Sequence, residues 1–364
     1  MTGPGSLVDW GLAERTASTL IAGLPRPGGD PPPAAPYTPA EVAAACERAL
    51  EAAAAYAELG DVEAPPEAEL IARREWARTA LATLSEAAGP VEARVAAELD
   101  LPGPLGGIAR RAAGAGIGIE AGLAAGYAAK RVLGQYDVAL FGAERPPRLL
   151  FVGENLEASR QALRADRELF LHWVALHECT HVIQFERVEW LAPHVRELAT
   201  RLIEGTAEGF DGAALGRLGR RLLREPAAVL RAALRGELAR ALSDPAHGET
   251  LDRLQATMSV IEGHAEHVMD ASAAEFGADL TELRRRLEAR RERRGGLSEL
   301  LGRLLGMDMK LRQYRLGKAF CDRVAREAGR EAVRLVWRSP EDLPDLAELE
   351  APHRWLDRVA LPAR

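Results

Sequence analysis

Apolar residues recur every three or four positions along most of the chain, which is the spacing of helices that bury one face. A first helix is predicted over residues 6–22. A second, 38–58, starts at Thr38 with the N-cap, first-turn proline and acidic residue of a capping box. A third helix is expected near Trp76, and helical periodicity returns at residue 165 and lasts almost to the end. The pattern therefore predicts a mainly α protein.

One short stretch departs from the helical spacing. Residues 149–152, "LLFV", follow two prolines and form the one convincing β-strand in the sequence. If this strand lies beside a binding cleft it can pair with an extended substrate, and an ordinary edge strand is the alternative. We expect a single compact unit over 1–364, mainly α with a small β element. Within it, an N-terminal helical region, 1–140, packs on a second region, 141–364.

Glycines recur every four residues in the segment that precedes this strand, at Gly114, Gly118, Gly122 and Gly126. They form a stripe without side chains along one helix face, which lets another helix approach closely. Membrane helices use such stripes too, but here Glu120 lies inside the apolar run and a basic pair ends it. A buried core helix is therefore expected, and no membrane span.

Charge and cysteine content narrow the possible functions. The net charge of −7 and the pI near 5.8 argue against a nucleic-acid binder, which normally carries a basic surface. The three cysteines are widely spaced and odd in number, so a disulfide framework is not expected. The first residues show no basic segment followed by an apolar core, as a signal peptide would, and a cytoplasmic location is the default expectation.

The most informative stretch is "WVALHECTHVIQFE", residues 173–186. Positions four apart on a helix point the same way, so His177 and His181 can bind one metal ion. Glu178 lies about 100° around the axis from His177, where it can reach a water on that ion rather than act as a ligand. This is the HExxH pattern of two zinc ligands and a general base. The apolar residues that precede it indicate a buried helix.

Catalytic zinc sites use three protein ligands, so a third is needed. The continuation HExxHxxGxxH is excluded, because Gln184 and Arg187 occupy the glycine and histidine positions. Two similar segments further on, "LIEGTAEGF" and "VIEGHAEHVMD", offer Glu204 and Glu262. Glu262 is favoured because its neighbours form the stripe of a buried helix, where a carboxylate without a partner would be costly. Glu204 remains the alternative.

Further polar residues are candidates for supporting roles. Glu266 lies one turn after Glu262 and is placed to orient a ligand histidine through its second ring nitrogen. His267 adds a titratable group near the expected metal. Arg312 and Tyr314 lie in a dense polar cluster and are candidates for stabilising the transition state, although a structural role is the simpler interpretation of each.

Three segments together resemble a known family: "WVALHECTHVIQFERVEWL", "MSVIEGHAEHVMDA" and "DMKLRQYRLGKAFCDRV". They are similar to the zincin-like family of zinc-dependent metalloproteases of actinobacteria and chloroflexi, catalogued as associated with coenzyme F420 biosynthesis or as hydrolases. The resemblance covers most of the chain. It implies a zincin-like helical metalloprotease core with additional N-terminal helices, bound Zn²⁺ and hydrolase activity.

The phrase EGHAEH is also similar to the glutamate-ligand helix of gluzincin aminopeptidases, and that match implies that Glu262 is the third ligand. The separation between His181 and Glu262 is longer than in typical gluzincins. Residues 186–250 are therefore expected to be an insert specific to this family.

Three functions follow as hypotheses. The first is a zinc metallohydrolase, most simply a metallopeptidase acting on a peptide or protein, with Glu178 as general base. The second is a non-catalytic scaffold that zinc stabilises, which would have no need of Glu178 and would favour four protein ligands. The third, a zinc hydrolase acting on a small cofactor-related substrate, rests on the catalogued association alone. The sequence leaves the oligomeric state open.

Overall fold

The computed structural model describes residues 6–23, 36–98, 104–142, 145–209, 245–276 and 307–360, together with Glu282, Arg285 and Arg286. Its longer helices are α1 (Trp10–Ala22), α2 (Pro39–Ala57), α3 (Arg73–Glu98), α4 (Pro104–Ala129), α5 (Gly153–Leu163), α6 (Arg167–Arg187), α7 (Leu191–Gly209), α8 (Pro245–Phe276) and α9 (Met307–Ala328). Short helices follow: α10 (Arg330–Val333), two 3₁₀ turns (Arg334–Trp337 and Pro340–Asp342), α11 (Leu346–Glu350) and α12 (Pro352–Ala360). With 76% of the structure helical, the mainly α prediction is confirmed.

The β element is a sheet of three short strands: β1 (Ala68–Ile71), β2 (Gly134–Asp137) and β3 (Arg148–Val152). Strand β3 lies in the middle, parallel to β1 and antiparallel to β2. The sequence predicted β3 but as an edge strand or as the strand that pairs with substrate. Both of those interpretations are wrong, because hydrogen bonds to β1 and β2 occupy both of its sides.

Helix α6 is buried mainly by α2, with α8 and β2 also packed against it. The capping box predicted at Thr38 is present: its side chain accepts from the backbone N–H of Glu41, and the Glu41 carboxylate accepts from the backbone N–H of Thr38. One hydrophobic cluster then joins alanines of α2 to Phe170, Leu176 and their neighbours on α6. Since α2 precedes residue 140 and α6 follows it, the two predicted regions share a core, and a single unit stays our proposal.

Helices α8 and α9 cross at two glycines. A Cβ on Gly263 would lie 2.1 Å from the carbonyl carbon of Gly317, and one on Gly317 would lie 1.7 Å from Ser259 O. Only glycine allows this separation, and a second hydrophobic cluster, which includes Ile261 and Phe320, forms around the crossing. The crossing fixes the part of α8 that carries Glu262.

The glycine stripe of α4 lies against α1, as its spacing predicted. A Cβ on Gly118 would approach Asp9 O to 2.5 Å, and the other three glycines meet α1 or the residues just before it in the same way. The opposite face is not covered in the structure, since Ile117 and Leu123 are 42% and 41% exposed. The helix is therefore buried against α1 and α3, and part of its surface stays exposed among the described residues.

Three further expectations concern the division of the chain near residue 140, the insert and membrane helices. The sheet combines strands from both sides of residue 140, and the division of the chain at that position stays a prediction. Within the expected insert, α7 is described, and residues 210–244 lie outside the described residues. Among the described helices, none has the length and apolarity needed to cross a bilayer.

Candidate metal centre

Helix α6 directs its two histidines at one point. The Nε2 atoms of His177 and His181 are 3.2 Å apart, with the ring planes at 84°. Asp166 is the N-cap of this helix, and its carboxylate accepts a hydrogen bond from the backbone N–H of Leu169. The motif therefore lies well inside a capped helix. Both rings project from the α6 face turned to α8.

Glu262 on α8 completes the cluster. Its Oε2 lies 3.5 Å from His177 Nε2 and 3.6 Å from His181 Nε2. Three donors held about 2.0–2.2 Å from a tetrahedral Zn²⁺ stand roughly 3.3–3.6 Å apart, so the spacing and the chemistry of this set fit zinc. Across the described residues, no other set of three histidine, cysteine or acidic side chains converges in this way.

Glu178 lies beside the cluster without joining it. Its Oε2 accepts a hydrogen bond of 3.1 Å from the backbone N–H of Tyr136 in β2. The strand approaches so closely that a Cβ on Gly134 would lie 2.7 Å from Glu178 Cγ. The free edge of β2 thus holds the carboxylate in place. Neither Gly134 nor Tyr136 was singled out from the sequence, because β2 is short and shows no apolar alternation.

The two carboxylates have opposite electrostatic environments. Burial raises the pKa of Glu178, and the charge of Glu262 raises it further, against the influence of both histidines and the Tyr136 N–H. Glu262 is also buried, which would raise its pKa, but the imidazoles of His177 and His181 beside it hold that pKa well below its ordinary value. The surroundings of Glu262 therefore favour its anionic form, which a metal ligand needs, while those of Glu178 favour its protonated form.

The Nδ1 atoms of His177 and His181 do not contact Glu266. His181 Nδ1 lies 2.8 Å from Gln184 Oε1, and His177 Nδ1 lies 3.3 Å from Met269 Sδ. The expected role of Glu266 in orienting a histidine is thus taken by Gln184, which follows His181 by one turn on the same helix. The signal for Gln184 was present in the sequence, since the spacing of three residues places it next to His181.

His267 is engaged away from the cluster. Its Nε2 lies 2.9 Å from Tyr56 Oη and its Nδ1 lies 2.7 Å from Asp322 Oδ1, so neither ring nitrogen is directed at the metal centre. It joins α2, α8 and α9, which corrects the expectation that it acts near the metal. Arg312 and Tyr314 lie on α9, but their side chains fall outside the described residues. Glu204 is exposed on α7, apart from the cluster that contains Glu262.

A cavity of about 480 Å³ shares Tyr136 with the site. Its walls combine apolar, aromatic and charged side chains: Tyr136, Val138, Ala139, Arg145, Pro146, Pro147, Phe185, Glu186, Ala192 and Arg196. Phe185 follows His181 by one turn of α6, and its ring is 6.0 Å from that of Tyr136. The cavity therefore lies along β2 and the C-terminal part of the helix that carries both histidines.

The fold is mainly helical with a small sheet, and the candidate site combines two histidines one turn apart with a glutamate from a later helix, as zincins do. The chain belongs to the zincin-like metallopeptidase family, whose model matches residues 8–356. It is also similar to a crystal structure described as a "putative hydrolase with a novel fold" from Chloroflexus aurantiacus. The TM-score is 0.65 at 26% identity, over 98% of this chain and 100% of that one. No curated protein matches the sequence.

Proposed function

We propose that this protein is a zinc-dependent peptidase in which His177, His181 and Glu262 hold the metal and Glu178 is the general base. The observation that carries the proposal is the position of Glu178. It lies on the ligand helix, held by the Tyr136 N–H, and is separate from the ligand set. A metal site that only stabilises the fold has no need of such a group. Family membership supports the hydrolase class.

Each residue has a defined part in this chemistry. Zinc bound by the three ligands would polarise the substrate carbonyl and lower the pKa of its water. Glu178 takes a proton from the attacking water and passes it to the leaving amine, and its raised pKa suits both steps. The His177 side chain is 26% exposed, so the centre is open to solvent on one side, as substrate entry requires.

The cavity beside Tyr136 and Phe185 favours a peptide as substrate. Its volume is enough for a large side chain, and its apolar walls with a few charged groups are typical of ligand pockets. We propose that it holds a side chain close to the bond that is cleaved. No observation of the structure favours the small cofactor-related substrate.

The test is paired measurement of zinc stoichiometry and peptide cleavage on wild type and Glu178→Gln, which keeps the shape and removes the base. We expect the variant to retain zinc and lose cleavage of a peptide library. Glu168→Gln is a matched control, because Glu168 lies on the same helix with its side chain 78% exposed. It should behave as wild type.

Two outcomes would contradict the proposal. A Glu178→Gln protein that cleaves as fast as wild type would show that Glu178 is not the base. A wild-type protein that binds zinc and cleaves no peptide in the library would exclude the peptidase and favour the zinc-stabilised scaffold.

A further inference from the structure

The Gln184 side chain is fully buried between the two helices that carry the proposed ligands. Its amide meets three groups. Oε1 lies 2.8 Å from His181 Nδ1, while Nε2 lies 2.9 Å from Ile261 O and 3.0 Å from His264 Nδ1. The first group belongs to α6 and the other two to α8, so one side chain connects both helices at the level of the metal centre.

The hydrogen-bond chemistry allows a single orientation of this amide. The carbonyl of Ile261 can only accept, so the atom that faces it must be the amide nitrogen. That nitrogen donates its second hydrogen to His264 Nδ1, and Oε1 is left facing His181. An amide oxygen can only accept, which requires that His181 Nδ1 carries a proton.

A proton fixed on Nδ1 decides which nitrogen of His181 is offered to a metal. In the neutral imidazole the lone pair is then on Nε2, the atom that lies 3.2 Å from His177 Nε2 and 3.6 Å from Glu262 Oε2. The other tautomer would place a hydrogen at the centre of the cluster and a lone pair against the lone pairs of the Gln184 oxygen. Both changes oppose metal binding.

The same amide also holds the third ligand. Ile261 immediately precedes Glu262, so the bond from Gln184 Nε2 to Ile261 O fixes the α8 backbone next to that carboxylate. His177 has no comparable support, since its Nδ1 lies near the weak acceptor Met269 Sδ. The His181 and Glu262 positions are therefore coupled through one side chain.

We propose that Gln184 is a positioning residue for the metal, which sets the tautomer of His181 and ties it to the helix of Glu262. The inference rests on the proposed function only in taking His181 and Glu262 as ligands. Partners that orient ligand histidines commonly change metal affinity by about 10–100-fold when they are removed.

The test is the zinc dissociation constant, measured by competition with a chelator, for three variants. Gln184→Met keeps the length and removes every hydrogen bond, and should bind zinc about 10–100-fold more weakly. Gln184→Glu keeps an acceptor for His181 Nδ1–H but loses both donors to α8, so its affinity should lie between those of Gln184→Met and wild type. Thr180→Val is the matched control, since Thr180 is equally buried on α6 but bonds only to Leu176 O of its own helix. It should bind zinc as wild type does.

A second measurement needs no variant. Long-range ¹H–¹⁵N spectra of histidine in the zinc-loaded wild type report which ring nitrogen is protonated, and we expect the proton of His181 on Nδ1. This arm tests the tautomer of His181 even if Gln184→Met fails to fold.

Three results would overturn the inference. In the first, Gln184→Met binds zinc within about threefold of wild type. In the second, Gln184→Glu binds zinc as weakly as Gln184→Met does. In the third, His181 is protonated on Nε2 in the zinc-loaded protein. A wild type that takes up no zinc would overturn the proposed metal site as well, so the two failures are distinguishable.

Discussion

Gly134→Ala tests how the proposed base is held. A Cβ at this position would lie 2.7 Å from Glu178 Cγ and 3.0 Å from its Cδ and Oε1. Ordinary carbon contacts are about 3.5–4.0 Å, so either the carboxylate or the strand must move by about 1 Å. The movement breaks the bond that Tyr136 N–H donates to Glu178, two residues along the strand. Overpacking of this kind costs about 1–3 kcal/mol of stability.

The effect on catalysis should be larger than the effect on folding. A reacting group displaced by about 1 Å can lose a factor of about 100 in rate, and Glu178 is the only proposed catalytic group that the methyl contacts. We therefore expect kcat for a cleaved peptide to fall about 100-fold with zinc stoichiometry unchanged. Gly89→Ala is the control, since a Cβ there has nothing within 4 Å. A folded, zinc-loaded Gly134→Ala protein that retains kcat within about threefold would refute the reasoning.

Two further predictions concern stability. Gly263→Ala places a methyl 2.1 Å from the carbonyl carbon of Gly317, so α8 and α9 must separate, and urea unfolding should show a loss of about 3 kcal/mol or more. Gly248→Ala on the same helix, with nothing within 4 Å, should show no loss. Although burial opposes the shift, hydrogen bonds from His267 and Lys318 lower the pKa of Asp322 from 3.8 to about 2. Its contribution, about 1 kcal/mol after allowing for solvent screening, is complete above pH 4 and disappears towards pH 2. The stability difference between wild type and Asp322→Asn should shrink over that interval, and a difference independent of pH would contradict the assignment.

Features that depend on neighbours along the chain were predictable from the sequence. The capping box at Thr38 formed as expected, because its hydrogen bonds span three residues. His177 and His181 share a face of one helix because helical geometry alone puts them there. The glycine stripe indicated a close helix contact, but it could not indicate that α1 would be the partner.

Features that depend on distant segments were missed. Strands β1 and β2 have four residues each, too few to show a period, and they are stabilised by pairing with β3. The identity of the partner that orients His181 was also missed. A carboxylate on α8, one turn after Glu262, looked suitable, but the Nδ1 atom of His181 lies against Gln184 of its own helix instead. Spacing along one helix does not reveal which face of the next helix will meet it.

The two carboxylates of the site owe their different environments to close approaches of backbone. Because Gly134 has no side chain, the edge of β2 reaches Glu178 and donates a single N–H to a carboxylate that is otherwise desolvated. Gly263, which directly follows Glu262, lets α9 lie against α8 and leaves that carboxylate facing two imidazoles. The HExxH motif supplies the groups on α6. Two glycines outside it, 44 positions before Glu178 and one after Glu262, determine the surroundings of the proposed base and of the proposed metal ligand.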